Sequence, residues 1–277
     1  MDAHICCSCS KKTTLNSLIK QNKTVYVKTF YGIGLGLILV LYGLSALPEN
    51  LELMLIGLLG GSPSEGELGM FEILLFILPM LIQLSLFGTV IGNDMNQSGI
   101  FIFTRMQSRK RRMTEQMLVV LSSSVLFDIF TIIPIIAVSE FAGIHIFDSF
   151  TFISLILIWF CGTVLCHVAF VLIMNVCTVR FKMVPCLMAL CIVYAWGFAD
   201  VVWFFKLENG LAVALYPSTQ GIIGAHDIGN LAEMFPYFFT NSVPYFTIVF
   251  SAIYSSVFIA VVFAVGLRII DKHDFLS

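Results

Sequence analysis

The chain has 277 residues, 58% of them hydrophobic and only 12% charged, with a mean hydropathy of +0.96. A soluble domain carries roughly 25% charged residues, so water on all sides is hard to reconcile with this composition. A net charge of −2 makes no electrostatic case for nucleic acid.

In lipid every backbone amide must be paired internally, which leaves helices or closed barrels. The apolar runs are continuous and lack the dyad alternation of a barrel strand, so the expected fold is all-α, a polytopic membrane protein. Residues 1–29 are polar and basic and show no apolar stretch leading to a small-residue cleavage site, so no signal peptide is expected. His4, Cys6, Cys7 and Cys9 have metal-capable side chains but no second Cys-x-x-Cys pair. No metal site is expected there, and an unmodified tail is preferred to an acylated one. Leu15, Leu18, Ile19, Asn22, Val25, Tyr26 and Thr29 fall at helical spacing, with lysines mostly elsewhere. That pattern predicts an N-terminal amphipathic elbow helix on the inner leaflet.

A span needs about 20 predominantly apolar residues. Six runs qualify or nearly so: 30–47, 71–91, 117–139, 151–176, 184–205 and 244–267. The stretch 51–60 is too short, is stopped by Gly60-Gly61-Ser62-Pro63, and reads as an interfacial helix on the outer side. Between the last two runs, 206–243 is broken by Gly210, Pro217, Gly221, Gly224 and Pro236. Its apolar pieces GLAVALYP and EMFPYFFT read as short helices packed on the bundle within the outer leaflet. The organisation expected is thus 1–29, a cytoplasmic segment, and 30–277, a six-helix transmembrane domain.

Basic residues mark the cytoplasmic side. With six spans, every lysine and arginine except Lys206 falls on one side, while Glu52, Glu65, Glu67, Asp148, Glu208 and Asp227 fall on the other. Adding or dropping one helix would scramble that segregation, so both termini are expected in the cytoplasm and the chain in the cell membrane. Cys161, Cys166, Cys177, Cys186 and Cys191 sit in or beside apolar runs, where a thiol behaves as a small hydrophobe. No disulfide framework is expected.

Catalytic signatures are missing from the sequence: it has no G-x-x-x-x-G-K-[ST], no H-E-x-x-H and no G-x-S-x-G. Asp128, mid-way along the third run, is the costliest residue to insert, at roughly 2.5–3.5 kcal/mol. His167 lies near the middle of the next, antiparallel run, so contact between the two is geometrically possible. They read either as a substrate-pathway or coupling pair, or as a neutral Asp satisfied by a nearby Ser or Thr beside a His satisfied by a carbonyl. Gln83, one turn after Pro79, reads as helix packing or a buried polar group of the same pathway.

The most specific stretch begins as the second run ends: Gly92, Asp94, Gly99, Ile100, Phe101, Phe103, Arg105, Ser108 and Arg109, then Lys110, Arg111 and Arg112. Basic residues alone would only fix topology, but exposed aromatic groups beside them suggest docking into a partner's groove. Here the chain resembles the permease subunits of type 2 ATP-binding-cassette exporters, in this stretch of about 20 residues and in overall layout. The resemblance implies that 95–107 form a coupling helix seated in a separate ATPase subunit, with Phe101, Phe103, Arg105 and Arg109 at the contact. It also implies a second permease subunit, identical or related. No cofactor would be bound by this chain, ATP and Mg²⁺ being used by the partner. Such permeases often carry an aromatic residue where this chain has Lys110, Arg111 and Arg112. Two other readings stand beside this one. One is an ion-gradient-driven transporter or channel working through Asp128 and His167, and the other an intramembrane enzyme.

Overall fold

The computed structural model of the chain describes residues 22–45, 48–58, 70–94, 109–206, 210–235 and 242–272. Among them no strand occurs. The helices are α1 (Lys23–Lys28), α2 (Tyr31–Ser45), α3 (Leu51–Leu58), α4 (Met70–Phe87), α5 (Arg109–Phe141), α6 (Ser149–Trp159), α7 (Leu165–Thr178), α8 (Met183–Lys206), α9 (Gly210–Leu215), α10 (Gly229–Met234) and α11 (Ile248–Lys272). Five stretches are long and apolar enough to cross a membrane: Lys23–Ser45, Leu74–Asp94, Arg111–Phe141, Ser149–Thr178 and Ile248–Ile269. α8 adds a shorter apolar helix over Met183–Gly197. This is the makeup of a polytopic helical membrane protein.

α2 packs most heavily on α5. The sequence reason is Gly32 and Gly36, four residues apart on one face. A Cβ at Gly32 would strike the carbonyl oxygen of Phe127, and one at Gly36 that of Thr131. Lipid tails are as apolar as leucine, so helices in a bilayer gain by backbone approach at small residues rather than by hydrophobic exclusion. Phe30 and Phe130 stack at 4.9 Å beside this seam.

The elbow expectation lies outside the described residues up to residue 21. Its last part, α1, runs into α2 through a turn, and Asn22 and Thr29 of the predicted stripe are buried against protein. Tyr26 Oη lies 2.8 Å from Ser122 Oγ, and Lys28 Nζ donates to the Leu86 carbonyl at 3.3 Å. Of the 51–60 stretch, 51–58 form α3, which packs closely on the bundle. Leu51, Leu55 and Ile56 of α3 are fully buried against α2, α5 and α6. Glu52, equally buried, accepts from the backbone N–H groups of Phe147 and Asp148 at 3.0 Å each, stitching α3 to the start of α6. Asp148 in turn caps α6 through the Thr151 N–H, satisfying one of the orphan donors of a helix start.

The segment between α8 and α11 enters the bundle. After α9 come two short 3₁₀ turns, Pro217–Gly221 and Ile223–Ala225, joined at Ile222; Ser218, Thr219, Gln220, Ile222, Ile223 and Ala225 are all buried. Its docking place is a π-helical turn, Phe160–Val164, between α6 and α7. There Gly162 presents no side chain to the Gln220 carbonyl, and Thr163 Oγ1 donates to the Gly221 carbonyl at 3.1 Å. Irregular backbone at such depth survives because its polar groups find protein partners. The 210–217 piece expected as a short helix corresponds to α9. Of the 233–240 piece, residues 236–240 lie outside the described residues.

Candidate functional site

Three side chains that stand out as polar interruptions of separate apolar runs meet at the centre of the bundle. Gln83 comes from α4, Asp128 from α5 and His167 from α7; all three are at most 2% exposed. Gln83 Nε2 donates to Asp128 Oδ1 at 2.6 Å and faces His167 Nδ1 at 3.1 Å. The Ser124 hydroxyl donates to Gln83 Oε1, which holds the amide with its nitrogen toward the acid. His167 Nδ1 lies 3.2 Å from both carboxylate oxygens of Asp128. On its far side His167 Nε2 meets Tyr194 Oη of α8 at 3.2 Å. The result is a continuous polar chain, Ser124–Gln83–Asp128–His167–Tyr194, drawn from four helices and closed off from solvent.

The chain borders a cavity of about 30 Å³, room for about two waters by the usual ~10–15 Å³ each. Its wall includes Phe76, Trp159, Thr131 and Thr163 besides Asp128, His167 and Tyr194. Tyr194 is held by stacking on Phe76 at 4.7 Å and an edge contact to Phe170 at 5.4 Å. A carboxylate kept at this depth at a cost of some 2.5–3.5 kcal/mol is characteristic of bundle interiors and substrate or ion paths. The arrangement can hold a proton, pass it along, or recognise a cation.

A second constellation sits at the other end of α4 and the start of α5. Arg112 gives Nε to Asp94 Oδ2 at 2.9 Å and Nη2 to Asp94 Oδ1 at 2.8 Å. Both side chains are largely buried, with Glu115 3.8 Å from Arg112 Nη1. The span of α4 therefore ends, and that of α5 begins, at one clamped point. Phe101, Phe103 and Arg105 lie between and are outside the described residues, and Arg109 is the first residue of α5.

Just before the clamp, α4 ends at Phe87 and a helical turn resumes over 90–94 after a break at Gly88 and Thr89. Asn175 of α7 fills the interruption: its Nδ2 donates to the Phe87 carbonyl at 2.8 Å, and its Oδ1 accepts from the Ile91 N–H at 2.9 Å. Those two backbone groups are the i and i+4 partners that an unbroken helix would join directly. Gly88 is the residue at the break because a Cβ there would strike both Met174 and the Leu84 carbonyl.

Sequence reasoning found Gln83, Asp128 and His167 but not Tyr194, Ser124, Asn175 or the Asp94–Arg112 pair. Tyr194 and Asn175 had a weak signal, as polar atoms inside apolar runs. Compared with known proteins, the chain matches no family model, no curated protein and no solved structure.

Proposed function

We propose that this chain is the permease subunit of an ATP-binding-cassette exporter, forming the substrate pathway and driven by a separate ATPase subunit. The observation that carries the reading is the Asp94–Arg112 clamp. It pins both ends of the 95–108 segment to one point of the bundle, so that a push on the segment is delivered to α4 and α5 together. The motif residues Gly92, Asp94, Gly99, Arg105, Ser108 and Arg109 that resemble type 2 exporter permeases flank or fill that same segment.

In this reading α8 completes a set of six spans, with both termini on the cytoplasmic side of the cell membrane. The chain is no enzyme itself. ATP and Mg²⁺ are used by the partner, and a second permease subunit, identical or related, completes the pathway. Closure of the ATPase pair moves the helix bundles as rigid bodies. A purification from native membranes in mild detergent tests this. A stoichiometric ATPase with vanadate-sensitive hydrolysis is expected, and it is lost when Phe101 and Phe103 are both changed to alanine. Elution of the intact chain without a nucleotide-hydrolysing partner rejects the reading.

One observation favours a second reading, transport driven by an ion gradient. The polar chain through Gln83, Asp128, His167 and Tyr194 is continuous and buried, as a proton relay requires. In that case Asp128→Asn abolishes transport while deletion of 98–104 leaves it intact.

A further inference from the structure

The threonine hydrogens around the Asp128 cavity are already committed. Thr131 Oγ1 donates to the Phe127 carbonyl at 3.0 Å, and Thr163 Oγ1 donates to the Gly221 carbonyl at 3.1 Å. A hydroxyl has one hydrogen, so toward the cavity both threonines offer lone pairs only. Asp128 adds carboxylate oxygens, and the aromatic side chains of Phe76, Trp159 and Tyr194 also line the cavity. No lysine or arginine lines the cavity, and among the described residues the ion pair of Asp128 is with His167 alone. The wall is therefore rich in acceptors and aromatic side chains, the composition that recognises a cation with N–H groups.

Size narrows the class. A space of about 30 Å³ takes an ammonium head in place of about two waters and is too small for a guanidinium or a bulky ring without rearrangement.

The charge count supplies the rest. Asp128 and His167 lie 3.2 Å apart through Nδ1, close enough to share one proton. With that proton the pair is neutral overall. Without it the pair carries −1 in a buried site, where an uncompensated charge is expensive. An ammonium group entering beside Asp128 restores neutrality when the proton leaves. The other titratable groups facing the pair are Tyr194 from α8 and Cys166 from α7; α4 contributes only Gln83. Neither Tyr194 nor Cys166 offers a positive charge to compete.

We infer that this cavity is a binding site for a primary ammonium group, such as a lysine side chain or amino terminus of a cargo, taken up in exchange for the proton shared by Asp128 and His167. The exchange balances as one ammonium in and one proton out, with no covalent bond made. That the ammonium belongs to a transported cargo rests on the permease reading; the site itself needs only this chain.

The test uses the full-length chain in lipid nanodiscs, with Trp196 and Trp203 changed to phenylalanine so that Trp159 alone reports. Methylammonium is the probe, titrated between pH 5 and 8 in weak buffer with a pH indicator. A saturable change in Trp159 emission is expected, with about one proton released per site. The apparent affinity should tighten as pH rises, because the proton and the ammonium compete for Asp128, and Asp128→Asn should remove the response. Tetramethylammonium, which has no N–H group, should bind at least tenfold more weakly. A response that is absent, independent of pH, or unchanged in Asp128→Asn overturns the proposal. If that variant does not fold, the pH dependence of the unsubstituted site decides alone. The permease reading is scored separately, by the co-eluting ATPase, so the two can fail independently.

Discussion

Asp94 and Arg112 are eighteen positions apart and form a two-pronged ion pair, with both guanidinium contacts below 3.0 Å. Few arrangements hold the mouth of a long connection more firmly. A guanidinium is planar and rigid, so it meets a carboxylate through two parallel hydrogen bonds, while an ammonium makes one.

Arg112→Lys therefore keeps the charge and loses the fork. It should cost about 1–3 kcal/mol in thermal unfolding of the reconstituted protein, and Asp94→Asn should cost a similar amount. In a double-mutant cycle the two losses should overlap rather than add. Additive losses would mean that the pair is a contact without consequence. If the segment between them couples to an ATPase, Arg112→Lys should also depress stimulated hydrolysis more than it weakens co-purification.

Acid should loosen the segment between α8 and α11 through His226. This ring is buried, stacked on Phe246 at 4.2 Å, and bonded to the Ile222 carbonyl and Ser251 Oγ. Burial pushes it down to about 4 from its ordinary 6.5, against the opposing pull of the backbone carbonyls of Ile222 and Ile223. The unfolded chain thus binds more protons between those values. Stability from this group is complete above about pH 6.5 and falls as pH drops toward 4, by up to about 1.4 kcal/mol per pH unit. Asp148 acts lower: hydrogen bonds from Thr151 hold its exposed carboxyl below 3.8, so its contribution is lost only under more acid conditions. Unfolding temperatures measured from pH 4 to 7 should show the upper slope, and His226→Gln should flatten it. An unchanged slope in that variant would assign the acid sensitivity to another group.

How much of this could be read before the structure depends on whether a residue's partner is implied by its own position. Asp128 and His167 each interrupt an apolar run at mid-depth, and consecutive runs are antiparallel, so their meeting follows from arithmetic along the chain. Gln83 is as visible as an interruption, but its role as the amide joining acid to imidazole depends on how α4 is rotated. Tyr194 is hidden by its own chemistry, because a tyrosine in an apolar run reads as packing until its hydroxyl is found against His167 Nε2. The apolar pieces 210–217 and 233–240 are the ones expected to pack on the bundle, and of the residues between them, 218–226 are buried within it. One signal was present: from Asn209 to His226 there is no charged residue, although Pro217, Ser218, Thr219 and Gln220 look like a surface turn. What the sequence does not show is that a π-turn with Gly162 at its contact point offers partners for that backbone.

Asn175 is the group whose loss should be most informative, because it stands in for a missing helical hydrogen bond. Its amide donates to the Phe87 carbonyl and accepts from the Ile91 N–H, and also donates to the Val171 carbonyl at 2.8 Å. In Asn175→Ala the two α4 groups either stay unpaired in a buried site or rejoin directly. The first costs about 1–3 kcal/mol per orphaned group. The second closes the break after Phe87 and should move Asp94 relative to Arg112. Asn175→Asp is the sharper variant, since it keeps size and the acceptor for Ile91 but sets a carboxylate against two carbonyl oxygens. It should therefore unfold more readily than the alanine variant. The decisive comparison is Arg112→Lys made with and without Asn175→Ala. If Asn175 aims the end of α4 at α5, the arginine change should cost clearly less in the alanine background, its partner having already been displaced. Equal costs would show that the break after Phe87 and the clamp beyond it are independent, and that Gly88 serves packing against Met174 alone.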